Sequence, residues 1–406
     1  MATDAEGQRF EDVDWDTIDT ARINPTPERA VLLIGLSILI TLYLYDTYVA
    51  HVYFLFDWQL NRIDWLTLIG TVMIVAYVGV PALRNRKTTV RTIHQLLSRP
   101  TTAVASGVLG LVVLVGLLGP VAPGSAELRF DRSFHPPYGA SIPNAAVGNC
   151  QGEVTSAEDT ILRTCEGTLS VYPFGANSDG IPMEVLIADG ARVALYVAVF
   201  TIAFVIPLAT AIGVIAGLRG GLIDDVLMSY VDVQLSIPAI IVYVIGYMYW
   251  NTSLLLLLVT FGLPSWGGIA RLVRSEVLQR REDGYVMVAR SFGGPPSYIA
   301  RRHLLPNITN TLLPAVFQLI ALLILVEAGV AFLGFQEAFV YSWGETIANG
   351  IRQDSMPPVS VDGREIGPHD VWWVATFPAL ALSLTLVSCK LVGDGLRDAL
   401  DPRAEH

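Results

Sequence analysis

The chain has 406 residues, of which 52% are hydrophobic and only 16% are charged, whereas soluble domains carry about 25% charged residues. Several apolar stretches reach the roughly 20 residues that cross a bilayer, which excludes a single soluble core. The net charge of −11 disfavours nucleic acid as a partner. Because backbone polar groups in lipid need internal partners, the composition predicts an all-α, polytopic membrane protein in contact with the lipid bilayer.

Arginine supplies nearly all of the positive charge, because Lys87 and Lys390 are the only lysines. An acidic, lysine-poor surface stays hydrated at high salt, so we expect an archaeal or halophilic source. Residues 1–29 are rich in Asp and Glu and lack the basic start and apolar core of a signal peptide. They are interpreted as an acidic cytoplasmic tail.

Hydropathy predicts about eight membrane spans. They cover residues 30–50, 64–83, 102–121, 187–217, 226–250, 253–271, 312–334 and 372–392.

Arginine and lysine placement predicts the orientation of these spans, since cytoplasmic loops carry the excess of positive charge. Residues 84–99 and 271–302 are rich in arginine and are expected inside the cell. The loops 122–186 and 335–371 carry few basic residues and are expected outside. With eight spans, the loops alternate consistently between the inside and the outside of the cell. This predicts a multi-pass protein of the cell membrane with both termini in the cytoplasm.

Three cysteines are present, and two of them share the predicted outer loop. Cys150 and Cys165 could oxidise on the outer face of the membrane. The alternative is a pair of buried thiols. Cys389, in the last span, is interpreted as a packing residue.

Enzyme motifs are missing from the sequence. It contains neither a phosphate-binding Gly-x-x-x-x-Gly-Lys-Ser/Thr loop, nor His-Glu-x-x-His, nor Gly-x-Ser-x-Gly. The six histidines lack the spacing of metal ligands. The chain is therefore predicted to be neither an enzyme nor a holder of a metal or cofactor.

Carboxylates inside membrane spans are the default candidates for function. Glu327 lies in an apolar run, and Asp225 and Asp232 lie seven residues apart, on one face of a helix. The alternative for Glu327 is structural, since buried carboxylates normally have a hydrogen-bonding partner.

A polar interruption between two spans is the most distinctive segment. Tyr285, Val288, Ala289 and Phe292 follow the spacing of one helix face. This predicts a short amphipathic helix. It could lie on lipid headgroups or dock into the groove of a soluble partner.

Two breaks should hold that helix at a defined angle. The pair 293–294 is Gly-Gly, which ends a helix, and the pair 295–296 is Pro-Pro, which forbids its continuation. Ser297 is expected to cap a second short helix that ends before Pro306.

These residues resemble the "EAA" coupling motif of ABC-importer permeases, in which Glu-Ala-Ala is followed by Gly and, nine residues later, by Ile-x-Leu-Pro. The matching positions, with Arg290 following the first three, are Met287, Val288, Ala289, Gly293, His303, Leu305 and Pro306. Met287 and Val288 depart from the pattern, which implies a more apolar docking contact.

Other segments are similar to the same family in order and spacing. They are "PFGANSDGIPMEVLIADGARVAL", "GGLIDDVLMSYVDVQLSIPAI", "VEAGVAFLGF", "YSWGETIANG" and "LVGDGLRDALDPR". The first lacks the Arg-Asp of the family pattern, and Ser229 replaces an arginine in the second, leaving Asp225 or Asp232 short of a partner. The similarity covers about residues 95–403. Within the family, the chain resembles the "C"-type permease of the dipeptide, oligopeptide and nickel branch.

The resemblance implies a six-span permease core at residues 101–406, with the outer loop 122–186 and a coupling region at 272–311. Residues 30–100 then form an extra two-helix hairpin with a basic linker, to which the family pattern assigns no role.

The function implied is import of peptides, coupled to ATPases through residues 284–306. The implied partners are a second permease subunit, two ATPase subunits that bind ATP and Mg²⁺, and an extracellular solute-binding protein. Nickel or another small solute is the alternative substrate. A secondary transporter and a membrane scaffold or sensor are the alternative functions.

Overall fold

The computed structural model describes residues 26–50, 60–119, 128–156, 163–250, 254–335, 341–352, 356, 360–361 and 364–400. The predicted acidic tail therefore lies outside the described residues as far as residue 25. The first helix begins at Pro27, three residues before the predicted boundary.

The described residues are mostly helical, in agreement with the predicted class. The helices are α1 Pro27–Tyr45, α2 Arg62–Ile74, α3 Val80–Arg84, α4 Arg86–Ser98, α5 Pro100–Leu118, α6 Met183–Phe200, α7 Ile206–Arg219, α8 Gly221–Ser236, α9 Ala239–Trp250, α10 Leu254–Leu257, α11 Trp266–Arg280, α12 Gly284–Ser291, α13 Pro296–Ile299, α14 Leu305–Phe332, α15 Trp343–Ile351 and α16 Trp373–Leu400. Single π-helical turns join several of them, at Asp46–Ala50, Val75–Gly79, Thr201–Val205, Leu258–Gly262 and Ala300–Leu304.

Seven helical segments in the described part of the chain are long and apolar enough to cross a membrane, which confirms a polytopic helical protein. They are Pro27–Val49, Arg62–Arg84, Pro100–Leu118, Met183–Arg219, Leu254–Arg280, Pro296–Phe332 and Trp373–Leu400. An eighth span is possible where α8 and α9 together pass the same test.

The fifth predicted span, at 226–250, is not one straight helix. The helices α8 and α9 meet at a bend of 69°. Ile237 has the extended backbone angles φ −86° and ψ 120°, because the ring of Pro238 disfavours the helical conformation in the residue before it. A single proline therefore turns a continuous apolar stretch into two helices.

Three other spans are longer than hydropathy predicts. The sixth continues to Arg280 instead of ending at 271, the seventh begins at Pro296 instead of 312, and the last continues to Leu400 instead of 392. Backbone hydrogen bonds carry these helices beyond the apolar windows into polar sequence. Several arginines that were assigned to a loop therefore lie on α11.

Small residues bring α7 and α11 into close contact. A Cβ atom on Gly213 would lie 2.6 Å from the carbonyl oxygen of Ala270, and one on Gly217 would lie 2.7 Å from a methyl group of Val277. Any larger side chain would therefore push the helices apart. This contact joins the long span Met183–Arg219 to the helix that precedes the polar interruption.

The segment 122–186, which is predicted to form an outer loop, contains short strands that the all-α prediction did not include. The strands β1 Ser141–Pro143, β2 Val154–Ser156 and β3 Arg163–Glu166 form an antiparallel sheet in the order β1-β3-β2. A second antiparallel pair joins β4 Ser360–Val361 to β5 Arg364–Glu365.

A disulfide bond joins Cys150 to Cys165 beside this sheet, with the two Cα atoms 5.7 Å apart. Cys165 is fully buried, in an apolar cluster that also contains Ile142, Ile181 and Trp373. Cys389 is a free, buried thiol. The outer loop thus has its own small core, which rests on the start of α16.

Removing this disulfide with Cys150→Ala and Cys165→Ala is expected to lower the local free energy of unfolding by about 3 kcal/mol, because the bond closes a loop of 15 residues. Limited proteolysis of the outer loop measures the effect. The wild type should be cleaved faster in reducing than in oxidising buffer, and the double variant should be cleaved at the fast rate in both. Equal wild-type rates in the two buffers would contradict the prediction.

Candidate functional site

The polar interruption forms a short helix, α12, that is held to the rest of the protein along one side. Val286 is fully buried in the main hydrophobic core. Apolar side chains on the other sides remain exposed, with Met287 53%, Val288 55% and Phe292 67% accessible. Ala289 is half-buried and Arg290 is exposed. The helix therefore presents an apolar surface that the described residues do not cover.

Glycines end α12 with a specific set of hydrogen bonds. The N–H of Gly293 donates to the carbonyl of Arg290, and the N–H of Gly294 donates to the carbonyl of Ala289, both at 3.0 Å. This is the Schellman arrangement, which requires a left-handed residue just beyond the helix end. Gly293 supplies it with φ +77°. The structure therefore ends this helix at the predicted Gly-Gly pair.

The next helix begins differently from the prediction. It starts at Pro296, with Pro295 in the cap position, so the expectation that Ser297 caps it is wrong. Proline suits the first helical turn because its missing N–H would have no intrahelical partner there.

The expectation that this second helix ends before Pro306 is also wrong, because the helix continues from Pro296 to Phe332. The π-helical turn Ala300–Leu304 immediately precedes the segment that holds Pro306 near its start. Such a turn interrupts the regular hydrogen-bond ladder, which lets a helix accommodate a proline ring.

The start of this long helix contacts α12 directly. The side-chain amide of Asn307 donates to the hydroxyl of Tyr285 at 3.3 Å. The His303 ring lies 6.1 Å from the Tyr285 ring, centroid to centroid. Leu304 is fully buried below this contact, whereas Leu305 is half-buried and Pro306 is exposed. A displacement of α12 would therefore act on the first turns of the span Pro296–Phe332.

An ion pair connects α8 to α11 near the interruption, and sequence reasoning missed it. Arg274 donates from two nitrogens to the two carboxylate oxygens of Asp224, both at 2.5 Å. Asp224 is buried, whereas the predicted candidate Asp225 is exposed. The helical period could have indicated Asp224, since Asp224 and Val231 lie seven residues apart and are both buried on one face of α8.

The other predicted carboxylate on α8, Asp232, is an exposed surface residue. It pairs with Arg271, and the two side chains are 64% and 47% exposed respectively. Both Asp225 and Asp232 are therefore exposed on this chain, and their role as intramembrane polar sites stays a prediction. Although Ser229 stands where the family pattern has an arginine, Asp232 has a partner in Arg271.

A further contact fixes the end of α11. The guanidinium of Arg281 donates to the carbonyl of Gly217 at 3.1 Å, which ties the residue after α11 to the end of α7. Together with the ion pair, this contact holds the base from which α12 projects.

Glu327 lies in the last two turns of α14, at the opposite end of that helix from the contact with α12. It is buried, and one carboxylate oxygen accepts a hydrogen bond from the Ser342 hydroxyl at 3.1 Å. The same Ser342 oxygen accepts from the N–H of Gly344 and caps α15. The geometry favours the structural interpretation of Glu327, as a residue that positions a neighbouring helix cap.

One group of potential metal ligands occurs among the described residues, formed by His135, Cys150 and Cys165. The two sulfur atoms are joined in the disulfide. The Nε2 atom of His135 accepts from the N–H of Gln151 at 3.2 Å. Burial lowers the pKa of His135, which keeps the ring neutral and suited to this acceptor role. The group is accounted for by structural bonds.

Comparison with known proteins identifies the family. Residues 209–406 match the family model described as "Binding-protein-dependent transport system inner membrane component". The dipeptide transport system permease protein DppC of Bacillus subtilis is 32% identical over 215 residues, which cover 53% of this chain and 63% of that protein. The oligopeptide transport system permease proteins OppC of Haemophilus influenzae and Escherichia coli K12 are each 31% identical. These two matches cover 57% and 58% of this chain, and 70% and 73% of the relatives.

The chain therefore belongs to the binding-protein-dependent transport system inner membrane components, and its distant relatives are peptide permeases. It is a multi-pass protein of the inner membrane and a transport component, not an enzyme. The matched residues include α12 and the long helix that follows it.

Proposed function

We propose that this chain is the permease subunit of an ATP-driven importer that forms part of the translocation path for peptides or a similar small solute. It contacts a separate ATPase subunit through α12. A second permease subunit, a second ATPase and an extracellular solute-binding protein complete the assembly, and ATP and Mg²⁺ bind to the ATPases.

The exposed apolar surface of α12 carries this proposal. Met287, Val288 and Phe292 project from a helix that is anchored through the fully buried Val286. Without a partner the chain would leave this surface in water, whereas a partner with a groove would bury it. Met287 stands where the resemblance expects a glutamate, so the contact with the ATPase is more apolar in this chain.

The same geometry supports a route for the motion. The pair Asp224–Arg274 and the contact of Arg281 with Gly217 hold the base of α12. Tyr285 and Asn307 connect its other side to the span Pro296–Phe332. Closure of the ATPases would displace α12 and so bias the spans between inward-open and outward-open arrangements.

The proposed orientation places α4 and α12 in the cytoplasm and the strands β1–β3 outside. It requires eight crossings, with the bent pair α8 and α9 as one of them, and it places both termini in the cytoplasm. The arginine-rich segments 84–99 and 271–302 support this orientation. The names of the relatives support peptides as the substrate class.

Val288→Asp tests the docking assignment. The side chain is 55% exposed, so the permease should still fold, but a charge in the apolar contact should reduce ATPase co-purification and ATP-driven uptake at least about 10-fold. Val90→Asp is the matched control, because Val90 on α4 is 54% exposed and lies outside the coupling region. Unchanged co-purification and uptake in Val288→Asp would overturn the assignment. Identification of the ligand on the co-purified solute-binding protein would test the substrate class.

A further inference from the structure

The two extra N-terminal spans form a hairpin that packs on the permease core. The hairpin consists of the segments Pro27–Val49 and Arg62–Arg84. Within it, a Cβ atom on Gly35 would lie 2.6 Å from a methyl group of Val72, so the two helices are in close contact. The hairpin precedes the residues 209–406 that the family model matches. Its contacts with the core therefore indicate a role that family membership does not supply.

The main polar contact between hairpin and core centres on Asp64. Its side chain is only 6% exposed. One carboxylate oxygen accepts from the guanidinium of Arg192 at 2.8 Å and also from the hydroxyl of Tyr196. The other oxygen accepts from the backbone N–H of Asn61 at 2.8 Å. Asp64 therefore enters the hairpin–core contact with both oxygens hydrogen-bonded.

Arg192 depends on this contact because it lies on the apolar helical segment Met183–Arg219 and its side chain is only 25% exposed. A charged side chain within a membrane is costly unless it is paired. Besides Asp64, the Arg192 guanidinium lies 5.3 Å from the centre of the Tyr196 ring. Asp189 is a further negative charge near Arg192, three residues earlier on the same helix. Asp64 is the carboxylate that accepts a direct hydrogen bond from it.

A second, apolar contact lies farther along the same two helices. A Cβ atom on Gly70 would lie 2.7 Å from a methyl group of Val199 and 3.2 Å from the Cβ of Ala203. Ala203 is part of the π-helical turn Thr201–Val205, where the long span changes from α6 to α7. The hairpin thus contacts the span both at its arginine and at this irregular turn.

We propose that the N-terminal hairpin is an intramolecular brace of the permease core. Asp64 supplies the counter-charge that lets Arg192 lie within the membrane, and Gly70 allows the close helix contact beside the π-helical turn. The brace fixes the N-terminal half of the span Met183–Arg219, whose other half packs on the helix that leads to α12.

A charge test uses the full-length chain, unfolded by SDS in mixed micelles and followed by tryptophan fluorescence. Asp64→Asn should lower the ratio of folded to unfolded protein about 100-fold, because it removes the carboxylate that is hydrogen-bonded to a largely buried guanidinium. The double variant Asp64→Asn/Arg192→Gln should recover most of this loss, since neither charge then remains unpaired. Glu28→Gln is the control, because Glu28 pairs at 3.9 Å with the exposed Arg84 of the same hairpin and not with the core.

A packing test is independent of charge. Gly70→Leu should destabilise the full-length chain at least about 10-fold in the same assay, because the helices cannot remain in contact. Gly79→Leu, also in the hairpin, should have little effect, since a Cβ atom there would have a single neighbour, Val75, at 3.9 Å.

Two outcomes would overturn the brace. One, in the charge test, is a loss of stability for Asp64→Asn that is no greater than the loss for Glu28→Gln, or that stays the same when Arg192→Gln is added. The other is equal stability of the Gly70 and Gly79 variants. Because these measurements require neither ATPase nor substrate, their result is separate from that of the proposed transport function.

Discussion

A permease with Gly293→Val is expected to remain in the membrane but to lose at least about 90% of ATP-driven uptake. Gly293 has φ +77°, and a left-handed backbone costs roughly 1–2 kcal/mol for a residue with a side chain. A β-branched side chain is among the least tolerated in this region. The two hydrogen bonds that end α12 should break, and the helix should lose its defined angle to the span that follows.

Gly293→Asn provides the discriminating comparison, because asparagine tolerates the left-handed region and also occurs at this helix position. It should retain most of the uptake, although its side chain is larger than the glycine hydrogen. Gly268→Val serves as a second control, because a Cβ atom at Gly268 would meet no neighbour within 4 Å. Uptake is measured in vesicles with the full assembly. Equal uptake by the valine and asparagine variants would show that the backbone conformation of Gly293 is not needed for coupling.

The second large effect is expected for Asp224→Asn, which should lower the free energy of unfolding by about 2–3 kcal/mol. Removing one partner of a buried ion pair leaves the other charge uncompensated. We expect a value at or below the lower end of the usual range of about 3–5 kcal/mol, because the Arg274 side chain is still 33% exposed. Since α11 leads into α12, uptake should fall as well.

Asp232→Asn is the matched control on the same helix. Its ion pair with Arg271 is exposed, and surface pairs contribute about 0–1 kcal/mol. Unfolding by SDS should therefore distinguish the two aspartates clearly. Arg274→Gln in the Asp224→Asn background should restore part of the lost stability. If the two single variants lost equal stability, the pair Asp224–Arg274 would have no special role in holding α11.

Local features were predictable from the sequence because their causes are local. The Gly-Gly pair at 293–294 ends α12 through backbone geometry that depends on a few neighbouring residues. The apolar stretches became helices because lipid leaves the backbone no other way to satisfy its hydrogen bonds. The prolines were less informative. Pro238 breaks a predicted span, whereas Pro306 lies inside a continuous helix, because a π-helical turn precedes it.

The choice between neighbouring carboxylates needed the tertiary structure. Asp224 and Asp225 differ by one position, which is about 100° of rotation around a helix. Which of them is buried depends on Arg274, 50 residues away in sequence. The same holds for Asp64, whose partner Arg192 lies 128 residues away.

The amino-acid sequence was sufficient to predict a polytopic helical membrane protein with a short, glycine-terminated helix between two spans, and it indicated the permease family. These conclusions depend on periodicity, apolar length and the backbone preferences of glycine, all of which act over a few residues. The packed arrangement of the helices was needed to show which polar side chains are buried and how the N-terminal hairpin contacts the core. Those contacts join residues distant in sequence, and their partners become known only when the helices are packed together.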